Sequence, residues 1–326
     1  MSADPGSKLV ALAIPTFGRR VYLQRCLESV GRLIHPEGVS LHLILLDNNP
    51  GGDAREIFDQ ICSRFDFPAR YVHVKEQGIP FVRNRALEEA LALDADFIGF
   101  LDDDEEAPPQ WMIEAFKALR HYGGDIVSGP KARILPEGSP KWMRKSRCLG
   151  LKRAKREGHA KGHVSTSNVI FRSKIVGEMG LRFREEFNTT GGSDTIFFDE
   201  AKRMGAVVVW SRKAHIYEWI PPSRAKLSWM LQRDFRIGVN QVRRIRILDG
   251  EWPAWRVTGR WIVDVMFVRP IGLVVQEIRR GPRRAFRGLF VTRFVNYIGY
   301  VARMFGLIVA LFGYRYHEYN TAAHGE

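Results

Sequence analysis

Through its first hundred residues the chain alternates short apolar runs with stretches of helical spacing. LVALAIPT (9–16), LHLILLDN (41–48), ARYVHVKE (69–76) and DFIGFLDD (96–103) are short, apolar and bounded by turn residues, and they predict strands. VYLQRCLESVGRL (21–33) puts Leu23, Cys26, Leu27 and Val30 on one helical face. DAREIFDQICSRF (53–65) and IPFVRNRALEEALALDA (79–95) also read as helices. Strands alternating with helices predict an α/β fold, a parallel sheet covered by helices on both faces. Ligands of such sheets sit beyond the carboxyl ends of the strands. Pro15-Thr16-Phe17, Asp47-Asn48-Asn49 and Asp102-Asp103-Asp104 close the first, second and fourth strands, so they are expected on one rim.

The pattern then changes. Residues 141–163 hold nine Lys or Arg against one Glu without clear periodicity, and predict a mobile basic loop beside the site. WMLQRDFRIGVNQVRRIR (229–246) reads as an arginine-rich helix. Two long apolar stretches follow, at 260–278 and 289–313, each interrupted by charges. In the second, Arg293, Asn296, Tyr300 and Arg303 form a narrow polar stripe, which predicts a helix lying in a membrane interface. RRGPRRAFR, between the stretches, adds Arg279, Arg280, Arg283, Arg284 and Arg287 for an anionic leaflet.

Charge sharpens this division. The 326 residues carry a formal net charge of +14, and residues 221–326 hold 18 Lys and Arg against 7 Asp and Glu. At 45% hydrophobic the chain can bury a core and is not of disordered composition. Cys26, Cys62 and Cys148 show no metal or redox spacing, as expected of a reducing cytoplasmic setting. The first apolar stretch, KLVALAIP, is too short for a signal peptide and reads as a strand.

Against this basic background, FLDDDEEAPPQW places five consecutive carboxylates, Asp102 to Glu106, after a buried strand. Mutual repulsion disfavours such a run unless a cation sits among them. Mg²⁺ and Mn²⁺ take hard oxygen ligands, commonly one or two carboxylates with the remainder from phosphates. Asp102 and Asp104 are the candidate ligands.

These segments resemble the family 2 glycosyltransferases, inverting enzymes of the GT-A fold that use nucleotide sugars. AIPTFGR, LLDNNPGGDARE, GIPFVRNRALEEA, FLDDDEEAPPQWM and FNTTGGSDTIFFDEAKRMG carry the resemblance in order, from about Leu9 to about Gly238. It implies that Thr16, Phe17 and Asp47 hold the nucleobase, that Pro15 and Arg19 also bind the donor, and that Arg83 supports the nucleotide. It implies that Asp102 and Asp103 face the donor, and that Asp104, with Asp102, holds Mn²⁺ or Mg²⁺ on the diphosphate. Gly191 and Gly192 would admit the sugar and acceptor, and Asp194 would be the general base. Where the family commonly has Glu-Asp, this chain has Ser193-Asp194. Arg233 and Arg236 would close over the diphosphate. The family's polymerising members have Gln-x-x-Arg-Trp there; the Trp is absent here, which argues against a processive synthase.

The expected organisation is a GT-A, Rossmann-like catalytic domain over residues 1–240 and a basic amphipathic helical region over 241–326. The expected activity is transfer of a sugar, from a UDP-sugar by the family's commonest usage, to a hydroxyl of a lipid-linked or polysaccharide acceptor. The setting would be bacterial exopolysaccharide or cell-envelope assembly on the cytoplasmic face of the inner membrane, with peripheral attachment. A sugar nucleotidyltransferase is the alternative on a similar sheet, but AIPTFGR lacks its glycine-rich loop. A basic membrane-binding or nucleic-acid-binding protein is the non-enzymatic alternative. No nucleic-acid partner is expected, because long aliphatic runs interrupt the basic segments.

Overall fold

The computed structural model describes residues 7–150, 156–160, 162–188, 190–280 and 289–316. Contacts divide the chain into two compact units. Within the described residues they take positions from 7–132 and 156–219, and from 133–150 and 220–316.

The first unit is built on an eight-stranded sheet. Its early elements are β1 (Lys8–Thr16), α1 (Arg20–Val30), β2 (Val39–Asp47), α2 (Arg55–Cys62), β3 (Ala69–His73), α3 (Ile79–Ala92) and β4 (Phe97–Phe100). Next come β5 (Glu105–Glu106), α4 (Trp111–Tyr122), β6 (Ile126–Ser128) and β7 (Lys131–Ile134), within which the unit boundary falls. They are followed by β8 (Gly158–His159), β9 (Val169–Arg172), α5 (Lys174–Gly177), α6 (Ser193–Arg203), β10 (Val208–Trp210) and β11 (Ile216–Trp219). The strand order is β3-β2-β1-β4-β9-β6-β10-β8. β1 alternates Val10, Leu12 and Ile14 with Ala11 and Ala13, and both sets are fully buried. The first set packs with Leu23, Leu27 and Phe116 of α1 and α4, the second with Val82 and Leu87 of α3 and Phe197 of α6. Burial on both faces is why these strands read as continuous apolar runs.

β1, β2, β3 and β4 are mutually parallel, as the sequence predicts. Beyond β4 the sheet is mixed, because β9 lies antiparallel between β4 and β6. A parallel neighbour needs a crossover segment that returns the chain to the same end of the sheet. Among the described residues the stretch entering β9 holds no such α-helix, and the strand inserts in the opposite sense. Chain order reverses at β1, which lies between β2 and β4, and this opens a crevice at the carboxyl ends of β1 and β4.

The second unit is helical. α7 (Leu227–Asp249) is followed by α8 (Glu251–Val263), which continues through a π-helical turn, Asp264–Val268, into α9 (Arg269–Arg280); α10 spans Leu289–Leu311. Val239, Val242, Ala254, Leu307 and Ala310 form its main core. Residues 141–150 are not a solvated loop. Met143 and Leu149 are buried with Ile220, Met230 and Val295. Lys and Arg dominate the composition there, and they mask the two apolar anchors. The remainder of the basic loop at 151–155 and 161, and Arg283, Arg284 and Arg287, lie outside the described residues.

Candidate active site

The five carboxylates at the end of β4 do not share one environment; each has its own partners. Asp103 accepts from Thr16 Oγ1 at 2.9 Å and from Arg19 Nη1 at 3.1 Å. The same Arg19 nitrogen donates to Asp104 Oδ2 at 2.8 Å. Burial pushes the Asp103 carboxyl up, opposed by the Arg19 charge. Burial works against the charge on Arg19, but Asp103, Asp104 and Asp102 more than offset it and raise the guanidinium pKa. The loop from β1 to α1 can return its arginine here because Gly18 takes a left-handed φ of 68°.

Glu105 is turned away from the crevice. Its side chain is fully buried, and its Oε2 accepts the Asp102 N–H at 2.9 Å. Its Oε1 meets Ser167 Oγ and lies 3.3 Å from Lys131 Nζ. Burial pushes this carboxyl well above its usual range, with Lys131 pulling the other way. From the other side Trp219 clamps the run. Its N–H donates to the Asp104 carbonyl at 2.9 Å, and its indole N–H donates to Glu106 at 2.6 Å. The indole in turn lies 4.3 Å from the Arg25 guanidinium. Asp102 remains half-buried at the mouth. Glu105 is thus a peg for the turn that presents Asp102 and Asp104. Glu105→Ala removes the buried counter-charge beside Lys131, which still donates to Ser167 Oγ, and takes away the acceptor of the Asp102 N–H, so chemical denaturation should show a loss of about 3 kcal/mol. Glu105→Gln keeps an acceptor for that N–H and should cost less.

Three strand ends meet at Asn48. Its N–H donates to the Thr16 carbonyl at 3.0 Å, and its Nδ2 donates to the carbonyls of Val74 at 2.9 Å and Glu76 at 2.8 Å. Its Oδ1 accepts the Gly78 N–H at 3.0 Å. Asp47 is fully buried. It accepts from the N–H groups of Asn49 and Ala54 and from the Tyr71 hydroxyl, at 2.9 to 3.0 Å. Its carboxylate therefore holds the loop after β2. Phe17 is 45% exposed, an uncovered aromatic ring beside the buried Pro15 and Thr16.

The start of α6 reaches the same rim by two links. Gly78 has φ 131°, and a Cβ there would lie 1.6 Å from Asn188 Oδ1, while Asn188 Nδ2 donates to the Gln77 carbonyl at 3.0 Å. Arg83 Nη1 donates to Ser193 Oγ at 3.1 Å. Ser193 is fully buried, so a serine stands where the resemblance has its first acid and takes a hydrogen bond from Arg83. Arg83 Nε is buried with no hydrogen-bond partner among the described residues. Gly191 and Gly192 take φ of 72° and 93° to turn the chain into α6. Asp194 follows in the first helical turn. Its Oδ1 accepts the Thr195 N–H at 2.8 Å, and no bond to Oδ2 occurs among the described residues.

The structure therefore joins Thr16, Arg19, Asp103 and Asp104 directly, sets Asp102 on Glu105, and links Arg83 to the helix of Asp194. Arg233 and Arg236 belong to α7 in the second unit, where Arg233 lies 5.3 Å from the Trp229 ring. Lys131 and Trp219 carry no sequence signal as site residues, whereas Asn48 and Glu105 stand out only as members of the polar rim and of the acidic run, without the roles they have here.

Among the described residues no group of three or more His, Cys, Asp or Glu is arranged to hold a metal. The acidic run still fits a cation shared with a diphosphate. Asp102 to Asp104 set three carboxylates against the single guanidinium of Arg19, and hard carboxylate oxygens are the donors Mg²⁺ and Mn²⁺ prefer.

Residues 11–180, just over half of the chain, match the profile of glycosyl transferase family 2. The succinoglycan biosynthesis protein ExoM of Rhizobium meliloti (strain 1021) is 27% identical over 292 residues, 89% of this chain and 91% of that protein. The mannosyltransferase PcManGT from Pyrobaculum calidifontis, solved with GDP-Man and Mn²⁺, superposes with a TM-score of 0.58 at 14% identity, over 93% of this chain and 88% of that one. TarS 1-349 of S. aureus, solved with UDP-GlcNAc, gives a TM-score of 0.48 at 17% identity, over 70% and 66% of the two chains. The order of the sheet, the crevice at its switch point, the acidic run placed there and the profile match agree: the chain is a transferase of glycosyl transferase family 2, with the GT-A fold.

Proposed function

We propose that the protein transfers one sugar, with inversion, from a UDP-sugar to a hydroxyl of a lipid-linked saccharide at the cytoplasmic leaflet of the inner membrane. The observation that carries this reading is the acidic run at the β1/β4 crevice, with Asp104 held by Arg19 beside the exposed Phe17. Phe17 stacks on the base, and Thr16 and Asp102 meet the nucleoside. Asp47 acts through the loop it holds. Arg83, with its unbonded Nε–H, faces the nucleotide. Arg19 neutralises the aspartates until the diphosphate arrives. Asp104 and Asp102 would hold Mn²⁺ or Mg²⁺, which neutralises the departing diphosphate when bound. Asp194 Oδ2 takes the proton of the acceptor hydroxyl as that oxygen attacks the anomeric carbon. The bond from that carbon to the diphosphate breaks, and the nucleoside diphosphate leaves with the electron pair. Gly191 and Gly192, lacking side chains, leave room for the sugar and the acceptor. Likeness to a succinoglycan biosynthesis protein supports a saccharide acceptor.

The test incubates the purified protein with UDP- and GDP-sugars and a bacterial lipid-linked saccharide fraction, with Mn²⁺. The reading expects acceptor-dependent release of UDP and a product of inverted anomeric configuration. A retained anomer, or release of pyrophosphate from a sugar phosphate and a nucleoside triphosphate, would refute it.

A further inference from the structure

α10 has the polar stripe that its sequence predicts, but the stripe faces the protein. Asn296 Oδ1 accepts the Arg147 N–H at 2.8 Å, and Arg303 donates to Gln241 at 2.6 Å. The Tyr300 ring lies 3.5 Å from the Arg269 guanidinium and 4.5 Å from that of Arg147. Arg147 pairs with Asp234, which is itself buried, and Arg269 pairs with Asp264 at 2.6 Å. α7 and α10 cross through glycines. A Cβ on Gly238 would lie 2.2 Å from the Arg303 carbonyl, and one on Gly306 would lie 2.1 Å from the Phe235 carbonyl.

Beside its buried core this unit also exposes many apolar side chains. Of the 20 large apolar side chains exposed among the described residues, 15 lie between Trp252 and Tyr314. On α8 and α9 a subset of them follows one face by helical spacing, with a gradient along it. Trp252, Trp255, Arg256 and Arg260 come first, followed by Val263, Phe267, Ile271 and Val274 with no charge among them. Phe290, Phe294, Phe305 and Phe312 are exposed on or just beyond α10. The stretch Phe290–Leu311 is long and apolar enough to cross a membrane, with 39% of its most apolar window buried inside the protein.

Resting on the membrane reading above, we propose that α8 through α10 are immersed in the hydrocarbon layer and do not lie flat in the headgroup region. An interfacial helix keeps its polar side for water. Here that side is consumed inside the unit, and the outward side is apolar. Small residues at helix crossings, polar groups bonded between helices and an apolar exterior are how helices pack in lipid. Trp252, Trp255, Arg256 and Arg260 mark the level of the headgroups. The occupant of the apolar face is therefore lipid acyl chain. A second copy would not call for tryptophans and arginines at one end of the face.

The test uses the full chain expressed in bacteria. Membranes are washed with concentrated salt, then with alkaline carbonate, and the protein is followed in pellet and supernatant. Immersion predicts that the protein stays in the pellet through both washes and leaves only with detergent. Phe267→Arg with Ile271→Arg should move it into the carbonate supernatant with the nucleotide site intact. Release of the wild type by salt or carbonate would leave membrane binding standing and overturn immersion. Folded wild type that never pellets, or that sediments as a soluble dimer without detergent, would overturn both.

Discussion

Replacing Asp104 with alanine is expected to lower the transfer rate about a thousandfold while leaving the fold standing. Asp104 Oδ2 is bonded to Arg19, but Arg19 also binds Asp103, so the substitution does not strand a buried guanidinium. It removes one of five neighbouring carboxylates, and the relief of repulsion offsets the lost bond. Stability should therefore change by no more than about 1 kcal/mol. Arg19→Ala should behave differently, because it removes the guanidinium that pairs with both buried carboxylates, Asp103 and Asp104. Thermal unfolding beside initial rates separates the two outcomes. A near-normal rate in Asp104→Ala would show that this carboxylate holds nothing the reaction needs.

Asp194→Asn is expected to keep donor binding and to lower turnover by about 10² to 10⁴. The amide oxygen of Asn can still accept the Thr195 N–H, so the first turn of α6 is preserved. Loss of the negative charge near the helix N-terminus costs about 0.5 kcal/mol. What disappears is the capacity to accept a proton. The donor KM should hold and kcat should fall, the pattern of an interaction made only in the transition state. Near-normal turnover would remove Asp194 from the reaction. Ser193 is a poor substitute base, because it is buried and bonded to Arg83.

How far the sequence could be read depended on the range of each interaction. β1 to β4 and α1 to α3 follow from periodicity, because both faces of those strands are buried and their turns are marked by Gly, Asn and Asp. The rim follows from strand order, since residues just after β1, β2 and β4 must share one edge of a parallel sheet. The insertion of β9 depends on pairing between segments about seventy residues apart and leaves no local signal. The same holds inside the acidic run. Asp104 and Glu105 are neighbours of the same charge, and Ser167, Lys131 and Trp219, all distant in sequence, give them different roles. Asp47 looked like a group for the base, yet Asn49, Ala54 and Tyr71 occupy its oxygens. For α10 the amphipathic period located the stripe but not its direction. A stripe facing water and a stripe facing a protein interior have the same period, and the partners that decide between them, Arg147, Asp234 and Gln241, lie far along the chain.

The central claim is that the acidic run and Phe17 form a cation-assisted site for a nucleoside diphosphate. Calorimetric titration of the purified protein with UDP and with GDP, each with and without Mn²⁺ and repeated on Asp104→Ala, tests it most directly. Binding of UDP is expected to require Mn²⁺ and to be lost in the substituted protein. Binding of GDP alone under the same dependence would keep the site and change the donor. Binding of neither nucleotide by folded protein would contradict the claim, and the five carboxylates would then be a buried structural turn tied to Arg19, Lys131 and Trp219.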